Sequence, residues 1–387
     1  MHYIRLLRPP TAGRLKGQEV LSIAIAITTD LNDAFLAPHE PVELVIFGAG
    51  AGANPVPVNL TPERKPKWEA GMRALKLDIP FPRNSAVRTI QIRPANRNLT
   101  AFSTSSVYPG PSGDGLILPV YADVLSSQEN DRHLICFRSL RLPKADDEAV
   151  VSTLKIEELM GESMAGHVWD GGLVTVSLVA DLCHSPPTDE KKTPLPILSS
   201  ILHQDRPLHV IELGCGVGIL GVGFARALAL SASAGKKGTH VLMTDLAEAE
   251  ERARANIAIC ADQAGWTSDS APFGLDFEAL DWNDGKVGVF GPEVLARPWD
   301  LVVLSDCTYN DLLPALVQTL SALHRLSAER GSDTKIMLAT KPRHKAEREF
   351  FSLMKADGWG IAEKILVPLP VLYSEPEAVQ VYLFSKN

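Results

Sequence analysis

The chain of 387 residues lacks the features that mark several protein classes. It contains no CxxC pair, and its few cysteines are odd in number, so neither a disulfide framework nor a zinc site is indicated. No apolar run approaches the roughly 18 residues of a membrane span, and residues 1–5 do not open a signal peptide. We therefore expect a cytoplasmic or nuclear protein in a reducing compartment, without a metal and without a membrane partner. The five cysteines are Cys136, Cys183, Cys215, Cys260 and Cys307.

Basic residues are not in excess either. The formal net charge is −8 and the sequence pI is about 5.7. Because phosphate binding depends on Lys and Arg, we expect no nucleic-acid partner. No nucleophilic Ser/His/Asp set and no HExxH motif supports a hydrolase. The 45% hydrophobic content is typical of soluble globular proteins, and the length favours two domains. We expect the protein to be a monomer.

The most informative segment is residues 210–221, Val-Ile-Glu-Leu-Gly-Cys-Gly-Val-Gly-Ile-Leu-Gly, in which an apolar strand leads into a glycine-rich turn. Gly214, Gly216 and Gly218 let the backbone approach a ligand, and the following helix presents unpaired N–H groups. The segment also satisfies the GxGxxG pattern of dinucleotide sites. Glu212 distinguishes the two, because its carboxylate would repel a pyrophosphate but suits the cationic amino group of S-adenosylmethionine. The segment therefore favours a methyl donor over a dinucleotide.

Residues 1–140 are predicted to be rich in β-structure, with strands at 21–27, 42–47 and 87–92 between Pro, Gly and Asn clusters. This region shows no catalytic constellation. We expect a β module that packs on the main domain or helps to hold a partner. Composition turns polar and charged at 141–148, which predicts a domain boundary and a second domain over residues 141–387.

Strand and helix patterns alternate from about residue 150 onward. This predicts an α/β fold with a Rossmann-like, seven-stranded and mostly parallel sheet covered on both faces. Ligands on such sheets bind at the carboxyl ends of the strands, where the strand order reverses. Two insertions, 185–192 and 231–238, are predicted to be surface loops. The predicted strands are 209–213, 240–244, 275–280, 301–305, 335–340, 361–367 and 379–384, and the predicted helices after them are 220–230, 247–261, 311–328 and 343–356.

Acidic residues follow the second and third of these strands. Asp245 suits the ribose hydroxyls of an adenosine-containing cofactor, although an acid there also serves as the N-cap of the next helix. Asp281, beside Trp282, is a candidate for the exocyclic amine of adenine or is simply a turn residue. Ser305 ends the fourth strand and is a further candidate for cofactor binding.

The fourth strand leads into Asp306 and, three residues later, Tyr309. In isolation these residues would be interpreted as a helix cap and a packed ring. Their place beside the predicted switch point instead favours a catalytic role. Trp169 precedes the first strand of the sheet, where it is either a core anchor or a wall of the donor and acceptor channel.

Taken together, the segments 168–172, 212–218, 281–282 and 306–309, with Asp245 between them, resemble family 16 of the seven-β-strand protein lysine methyltransferases, which carries an Asp-x-x-Tyr signature. The resemblance covers roughly residues 139–387. It implies S-adenosylmethionine as cofactor and methylation of a lysine in a folded protein, with elongation factors and chaperones among the known substrates. The long N-terminal region and the two insertions depart from shorter members.

The predicted site has a donor part and a catalytic part. Its catalytic residues are Asp306 and Tyr309. A methyltransferase of small-molecule amines would share the whole donor part, an NAD-linked dehydrogenase fits Glu212 less well, and a non-catalytic binding module with this fold is a third alternative. The predicted cofactor-binding residues are Trp169, Glu212, Gly214, Gly216, Gly218, Asp245, Asp281, Trp282 and Ser305.

Overall fold

The computed structural model of the chain describes most of the sequence. The described residues are 1–50, 56–81, 85–108, 116–126, 134–143, 152–161, 164–184, 193–231, 236–266, 274–308, 312–343, 347–372 and 375–386. Tyr309 and the predicted loop 185–192 lie outside them, as does part of the predicted loop 231–238.

The strands in chain order are β1 (His2–Leu6), β2 (Thr11–Leu15), β3 (Gln18–Thr28), β4 (Val42–Gly50), β5 (Val58–Asn59), β6 (Lys67–Trp68), β7 (Leu75–Pro80), β8 (Val87–Pro94), β9 (Ile117–Leu118), β10 (Val120–Asp123), β11 (Leu125–Ser126), β12 (Ile135–Arg141), β13 (Thr153–Leu159), β14 (His209–Leu213), β15 (His240–Asp245), β16 (Gly274–Ala279), β17 (Leu301–Ser305), β18 (Lys335–Thr340), β19 (Trp359–Pro368) and β20 (Ala378–Lys386). The α-helices are α1 (Thr104–Val107), α2 (Asp170–His184), α3 (Pro196–Leu202), α4 (Ile219–Leu230), α5 (Glu250–Ala264), α6 (Trp282–Gly285), α7 (Pro292–Leu295), α8 (Leu313–Ala328) and α9 (Glu347–Ala356). Short 3-10 helices occur at Arg97–Leu99, Met164–Gly166 and Ala247–Ala249.

Two sheets form the N-terminal region. One has the strand order β11-β2-β3-β1-β9 with β7 against β3, and the other has the order β13-β12-β10-β8-β4-β5 with β6 against β4. Alternate residues of β4, Val42, Leu44 and Ile46, are buried, as the two-residue period of a strand requires. The expected β-rich region is therefore present. Because β13 pairs with β12, the second sheet continues past residue 140, and the domain boundary there stays a prediction.

The third sheet has seven strands in the order β16-β15-β14-β17-β18-β20-β19. Its first five strands are parallel, and β20 runs antiparallel to both of its neighbours. Adjacent residues of β14 enter different cores: Val210 packs in the one that contains α2 and α4, and Ile211 packs in the one that contains α8. The sheet is therefore buried on both faces, and the predicted Rossmann-like α/β fold is confirmed.

Most predicted elements of this sheet lie within one or two residues of the observed ones, and β14, β17 and β18 coincide with the predictions. Two predicted helices differ at their start. The helix predicted over 247–261 starts as a 3-10 turn before α5. In the helix predicted over 343–356, Arg343 is not helical and α9 is described from Glu347 onward. The strand order reverses between β14 and β17, which places the switch point at their carboxyl ends.

The N-terminal region and the α/β sheet share one hydrophobic core. Tyr3 of β1 and Leu118 of β9 pack in the same cluster as Val174 and Leu178 of α2. Asn256 of α5 also exchanges hydrogen bonds with the backbone of Glu157 in β13, at 2.7 and 3.0 Å. The N-terminal sheets thus pack against α2 and α5.

The five cysteines are buried and none forms a disulfide. Across the part of the chain that the structure describes, no cluster of three or more His, Cys, Asp or Glu side chains is arranged to hold a metal. In that same part, no helix is both long and apolar enough to cross a membrane.

Candidate active site

A cavity of about 640 Å³ opens at the carboxyl ends of β14, β15 and β17, beside the switch point. This volume is in the usual range for a small-molecule or cofactor site. Glu212 and Gly218 are not among its described lining residues, and Tyr309 lies outside the described residues. The predicted site residues that line the cavity are Trp169, Gly214, Gly216, Asp245, Asp281, Trp282, Ser305 and Asp306.

The glycine turn after β14 requires glycine for two reasons. Gly214, Gly216 and Gly218 have φ of +69°, +52° and +78°, a region that side-chain-bearing residues rarely adopt. A Cβ at Gly214 would lie 3.3 Å from the Cβ of Cys307, and one at Gly216 would lie 3.2 Å from the carbonyl oxygen of Ala165. Bare backbone therefore forms this wall of the cavity.

Glu212 is buried behind that turn. Its Oε2 accepts a hydrogen bond from the N–H of Gly221 at 2.8 Å, in the first turn of α4. Burial raises the pKa of Glu212 well above its ordinary value. The N–H of Gly221, which has no partner within the helix, therefore finds one in this side chain. A direct contact between Glu212 and a donor stays an untested prediction.

Asp245 ends β15 and lies on the cavity wall. Its Oδ2 accepts a hydrogen bond from Gly216 N–H at 2.8 Å, and its Oδ1 accepts one from Leu246 N–H at 2.7 Å. Burial raises its pKa, although both hydrogen bonds act in the opposite direction. A carboxylate has about four acceptor sites, so Asp245 can still accept hydrogen bonds from a ribose.

Asp281 is a helix cap that also lies on the cavity wall, and its contact with an adenine stays a prediction. Its side chain accepts a hydrogen bond from Asn283 N–H at 2.7 Å and caps α6, and it also lines the cavity beside Trp282. The neighbouring ring of Trp282 adds a flat apolar surface. Together they suit a nucleobase with an exocyclic amine.

Asp306 joins three segments of the chain. It follows β17 with φ of +51°, in the left-handed region, and its side chain is only 3% exposed. Its carboxylate accepts hydrogen bonds from Gly171 N–H at 2.7 Å, from Lys341 N–H at 3.1 Å and from the Arg343 guanidinium at 2.7 Å. Burial raises the pKa of Asp306, and the Arg343 charge opposes that effect. A carboxylate with this many donors holds a turn and is poorly placed to be a free base.

A cluster of charged side chains beside the cavity was not predicted from the sequence. Arg343 lines the cavity, forms an ion pair with Asp30, and lies over the ring of Trp169 at 5.5 Å. The Nζ of Lys341 lies 3.4 Å from Asp30 and 3.0 Å from Asp170. Asp30 lies more than 130 positions before Asp170 and more than 300 before Lys341 and Arg343, so no local signal joins these charges, although Asp170 itself belongs to the segment 168–172.

Asp170, the first residue of α2, is fully buried in this charge cluster. It accepts hydrogen bonds from the Tyr3 hydroxyl at 2.7 Å and from the Met1 amino group at 2.8 Å. Burial alone would raise its pKa, but the amino group and Lys341 hold it below its ordinary value. The N-terminal region therefore contributes directly to the first turn of α2.

The mouth of the cavity carries three exposed apolar side chains. Leu31, Leu246 and Leu312 all line the cavity, and each is about 40% exposed. They come from the β3–β4 connection, the end of β15 and the segment before α8. We call these three residues the leucine rim.

Comparisons with known proteins agree with this geometry. Over residues 149–357 the sequence matches methyltransferase family 16, described as lysine methyltransferase, which confirms the resemblance predicted from the motifs. A UPF0665 family protein of Schizosaccharomyces pombe is 23% identical over 393 residues, which cover 100% of this chain and 99% of that protein.

Solved structures of similar fold include further methyltransferases. A SAM-dependent methyltransferase of Methanosarcina mazei is 13% identical with a TM-score of 0.32, and the match covers 49% of this chain and 97% of that one. Precorrin-6y C5,15-methyltransferase of Geobacter metallireducens is 14% identical with a TM-score of 0.30, covering 52% and 93%.

The residues of the cavity fit S-adenosylmethionine. A wall of bare glycine backbone admits the ligand closely, Asp245 offers acceptors for a ribose, and Asp281 with Trp282 offers a polar edge and a ring for an adenine. The chain belongs to methyltransferase family 16, the lysine methyltransferase family, and is an S-adenosylmethionine-dependent methyltransferase.

Proposed function

We propose that the protein transfers a methyl group from S-adenosylmethionine to the side-chain amine of a lysine in a folded protein, such as an elongation factor or a chaperone. One observation carries the proposal: a single cavity is lined by the glycine turn after β14, by the buried Asp306 and by the leucine rim. The family match supports a lysine acceptor.

Methyl transfer requires the amine of the acceptor lysine to be neutral. The ordinary lysine pKa is about 10.4, so the active site must favour the neutral form. S-adenosylmethionine supplies an electrophilic methyl group when it is bound. Trp169 and the apolar side chains of the cavity exclude water, which disfavours the ammonium form of an entering lysine. Asp306 is engaged by its three donors and fixes the turn that leads toward Tyr309. We propose that the Tyr309 hydroxyl then orients the lone pair of the amine.

The leucine rim favours a protein acceptor over a small amine. Single exposed leucines are ordinary on protein surfaces, but these three belong to one cavity mouth. Exposed apolar side chains that gather at one site are typical of a surface that contacts another protein. A small amine would need only the interior of the cavity.

The test is transfer of an isotopic methyl group in an extract from cells that lack this protein. Purified protein and labelled S-adenosylmethionine are added, the extract is passed through a size filter, and labelled peptides are sequenced by mass spectrometry. We expect label on a lysine of a retained protein. Label that passes the filter identifies a small-molecule amine methyltransferase, and donor binding without any labelled acceptor identifies a binding module. Either result overturns the proposal.

A further inference from the structure

The connection between β3 and β4 contains a buried acid, Asp30, that lies beside the active site. The Asp30 side chain has no exposed surface, although residues 31–35 beside it are exposed. Arg5 holds this connection by donating hydrogen bonds to the carbonyl oxygens of Asp30 at 2.7 Å and Thr29 at 3.4 Å. The position of Asp30 is therefore fixed by the N-terminal sheets.

Asp30 and Asp306 share the first turn of α2. Asp30 accepts a hydrogen bond from Asp170 N–H at 3.1 Å, and Asp306 accepts one from the next N–H, that of Gly171, at 2.7 Å. These N–H groups have no partner within the helix, and the helix dipole favours negative charge beside them. Two acids from distant parts of the chain thus cap one helix.

Arg343 bridges the same two acids. One guanidinium nitrogen bonds Asp306 at 2.7 Å and the other pairs with Asp30. The guanidinium is planar and its nitrogens form a rigid fork, so two carboxylates fix its orientation where one would leave it free to turn. Arg343 also lines the cavity, and Leu31, the neighbour of Asp30, lines it as well.

We propose that the N-terminal region completes the active site, with Asp30 as a positioning residue that acts through Arg343 on Asp306 and with Leu31 as part of the wall on the acceptor side. The inference rests on the proposed function for its effect on transfer. Its structural part, the control of Asp306 by Asp30, holds for any acceptor.

The first test measures amide hydrogen exchange and needs no acceptor. Asp30→Asn keeps the size of the side chain but removes the charge that orients Arg343. We expect the amides of Gly171 and Lys341 to exchange about tenfold faster, since hydrogen bonds to a charged group are among the stronger ones. Exchange in β14 and β18 should not change. Glu40→Gln, an exposed position in the same connection, is the matched control and should leave all of these amides unchanged.

The second test separates positioning from binding. With the labelled acceptor, Asp30→Asn should lower kcat about tenfold, equivalent to about 1.4 kcal/mol of barrier. Donor affinity by calorimetry should stay the same, because Asp30 is not a lining residue. Arg343→Lys keeps a cation but loses the fork, and it should reproduce the effect. The double variant should be no slower than the slower single variant, because both act on one element.

The outcomes distinguish this inference from the proposed function. A folded Asp30→Asn protein with unchanged exchange at Gly171 and Lys341 overturns the inference whatever the acceptor is. Faster exchange at those amides, with no lysine labelled by the unchanged protein, keeps the inference and rejects the proposed function. If Asp30→Asn does not fold, Arg343→Lys carries the same exchange measurement from the cavity side, and unchanged exchange there overturns the inference.

Discussion

The carboxylate of Asp306 accepts a hydrogen bond of 2.7 Å from the backbone N–H of Gly171, which ties the end of β17 to the first turn of α2. The contact leaves no space for a side chain at position 171. A Cβ placed there would lie 2.4 Å from the Oδ2 of Asp306. Position 171 therefore requires glycine for close approach, even though alanine is the better helix former.

Gly171→Ala should displace Asp306 and slow methyl transfer. We expect a loss of tenfold or more in kcat, where each factor of ten is about 1.36 kcal/mol of barrier. The free energy of unfolding should also fall by about 1–3 kcal/mol, the usual cost of overpacking, despite the gain of about 1 kcal/mol in helix propensity. Thermal unfolding and steady-state kinetics on the same preparation measure both effects.

Gly360→Ala is the control for this substitution. Its nearest neighbour would be the carbonyl oxygen of Ser385 at 3.9 Å, an ordinary contact. Activity should be retained there. Full activity in Gly171→Ala would show that the Asp306 contact does not matter for transfer.

Glu212→Gln should increase the free energy of unfolding at neutral pH. Burial raises the pKa of Glu212 in the folded protein, while the unfolded value is about 4.5. Glu212 therefore makes its full contribution to stability when the pH is below the pKa of the unfolded state. This contribution is lost as the pH rises through the pKa of the folded state. Glutamine carries no such penalty and can still accept the hydrogen bond from Gly221. Its advantage should be absent at pH 4 and present at pH 7, because only the ionised form of Glu212 carries the cost of burial. Denaturant unfolding across this pH range is the measurement, and an advantage that shrinks as the pH rises would contradict the burial argument.

Donor binding by Glu212 variants separates two roles of this residue. If the carboxylate only holds α4 against the glycine turn, Glu212→Gln should bind S-adenosylmethionine like the unchanged protein. Glu212→Ala should then weaken donor binding, because it removes the hydrogen bond that holds the first turn of α4 beside the glycine turn. The structure leads us to expect this pattern, because the carboxylate bonds Gly221 and does not line the cavity. Equal losses in both variants would instead support direct contact with the donor.

Removal of Arg138 should destabilise the N-terminal region strongly. Arg138 and Glu158 form a fully buried ion pair of 2.5 Å, and Arg138 holds the pKa of Glu158 below its ordinary value although burial alone would raise it. Arg138→Met leaves that carboxylate buried without its partner, so we expect a loss of about 3–5 kcal/mol in the free energy of unfolding. Glu158 also accepts a hydrogen bond from Val168 N–H at 2.7 Å, next to Trp169, so donor binding should weaken as well.

The matched control is the exposed pair of Lys65 and Glu43, at 3.0 Å. Both side chains are 40% or more exposed, so solvent screens the pair. Lys65→Met should leave the denaturation curve nearly unchanged. A similar loss in the two variants would mean that burial does not determine the effect.

Tyr309→Phe should slow transfer more than it weakens donor binding. The substitution keeps the ring and removes only the hydroxyl that we propose to orient the lysine amine. We expect methylation of the identified acceptor to fall roughly tenfold or more, with donor affinity by calorimetry unchanged. Replacing the acceptor lysine with arginine should abolish labelling, because a guanidinium stays protonated. Full-rate methylation by the folded Tyr309→Phe protein would remove Tyr309 from the catalytic role.

Local patterns in the sequence predicted the α/β sheet well. Strands such as β14 and β17 are continuous apolar runs bounded by polar turns, and their bounds depend on residues only a few positions apart. The glycine turn was also predictable, because positive φ and close approach limit Gly214 and Gly216 to one residue type. Asp245, Asp281 and Asp306 reach the cavity because each follows a parallel strand whose carboxyl end meets the same edge of the sheet.

The sequence by itself determined the fold of the α/β domain, the place of the cavity and the cofactor, because these depend on periodicity and on residues adjacent in the chain. Only the tertiary structure decided the partners of the charged groups. In the structure Glu212 accepts a hydrogen bond from Gly221, and Asp30 pairs with Arg343 across more than 300 positions of the chain. Such pairs form where packing excludes water and leaves each buried charge to its nearest partner, a condition that no local pattern encodes.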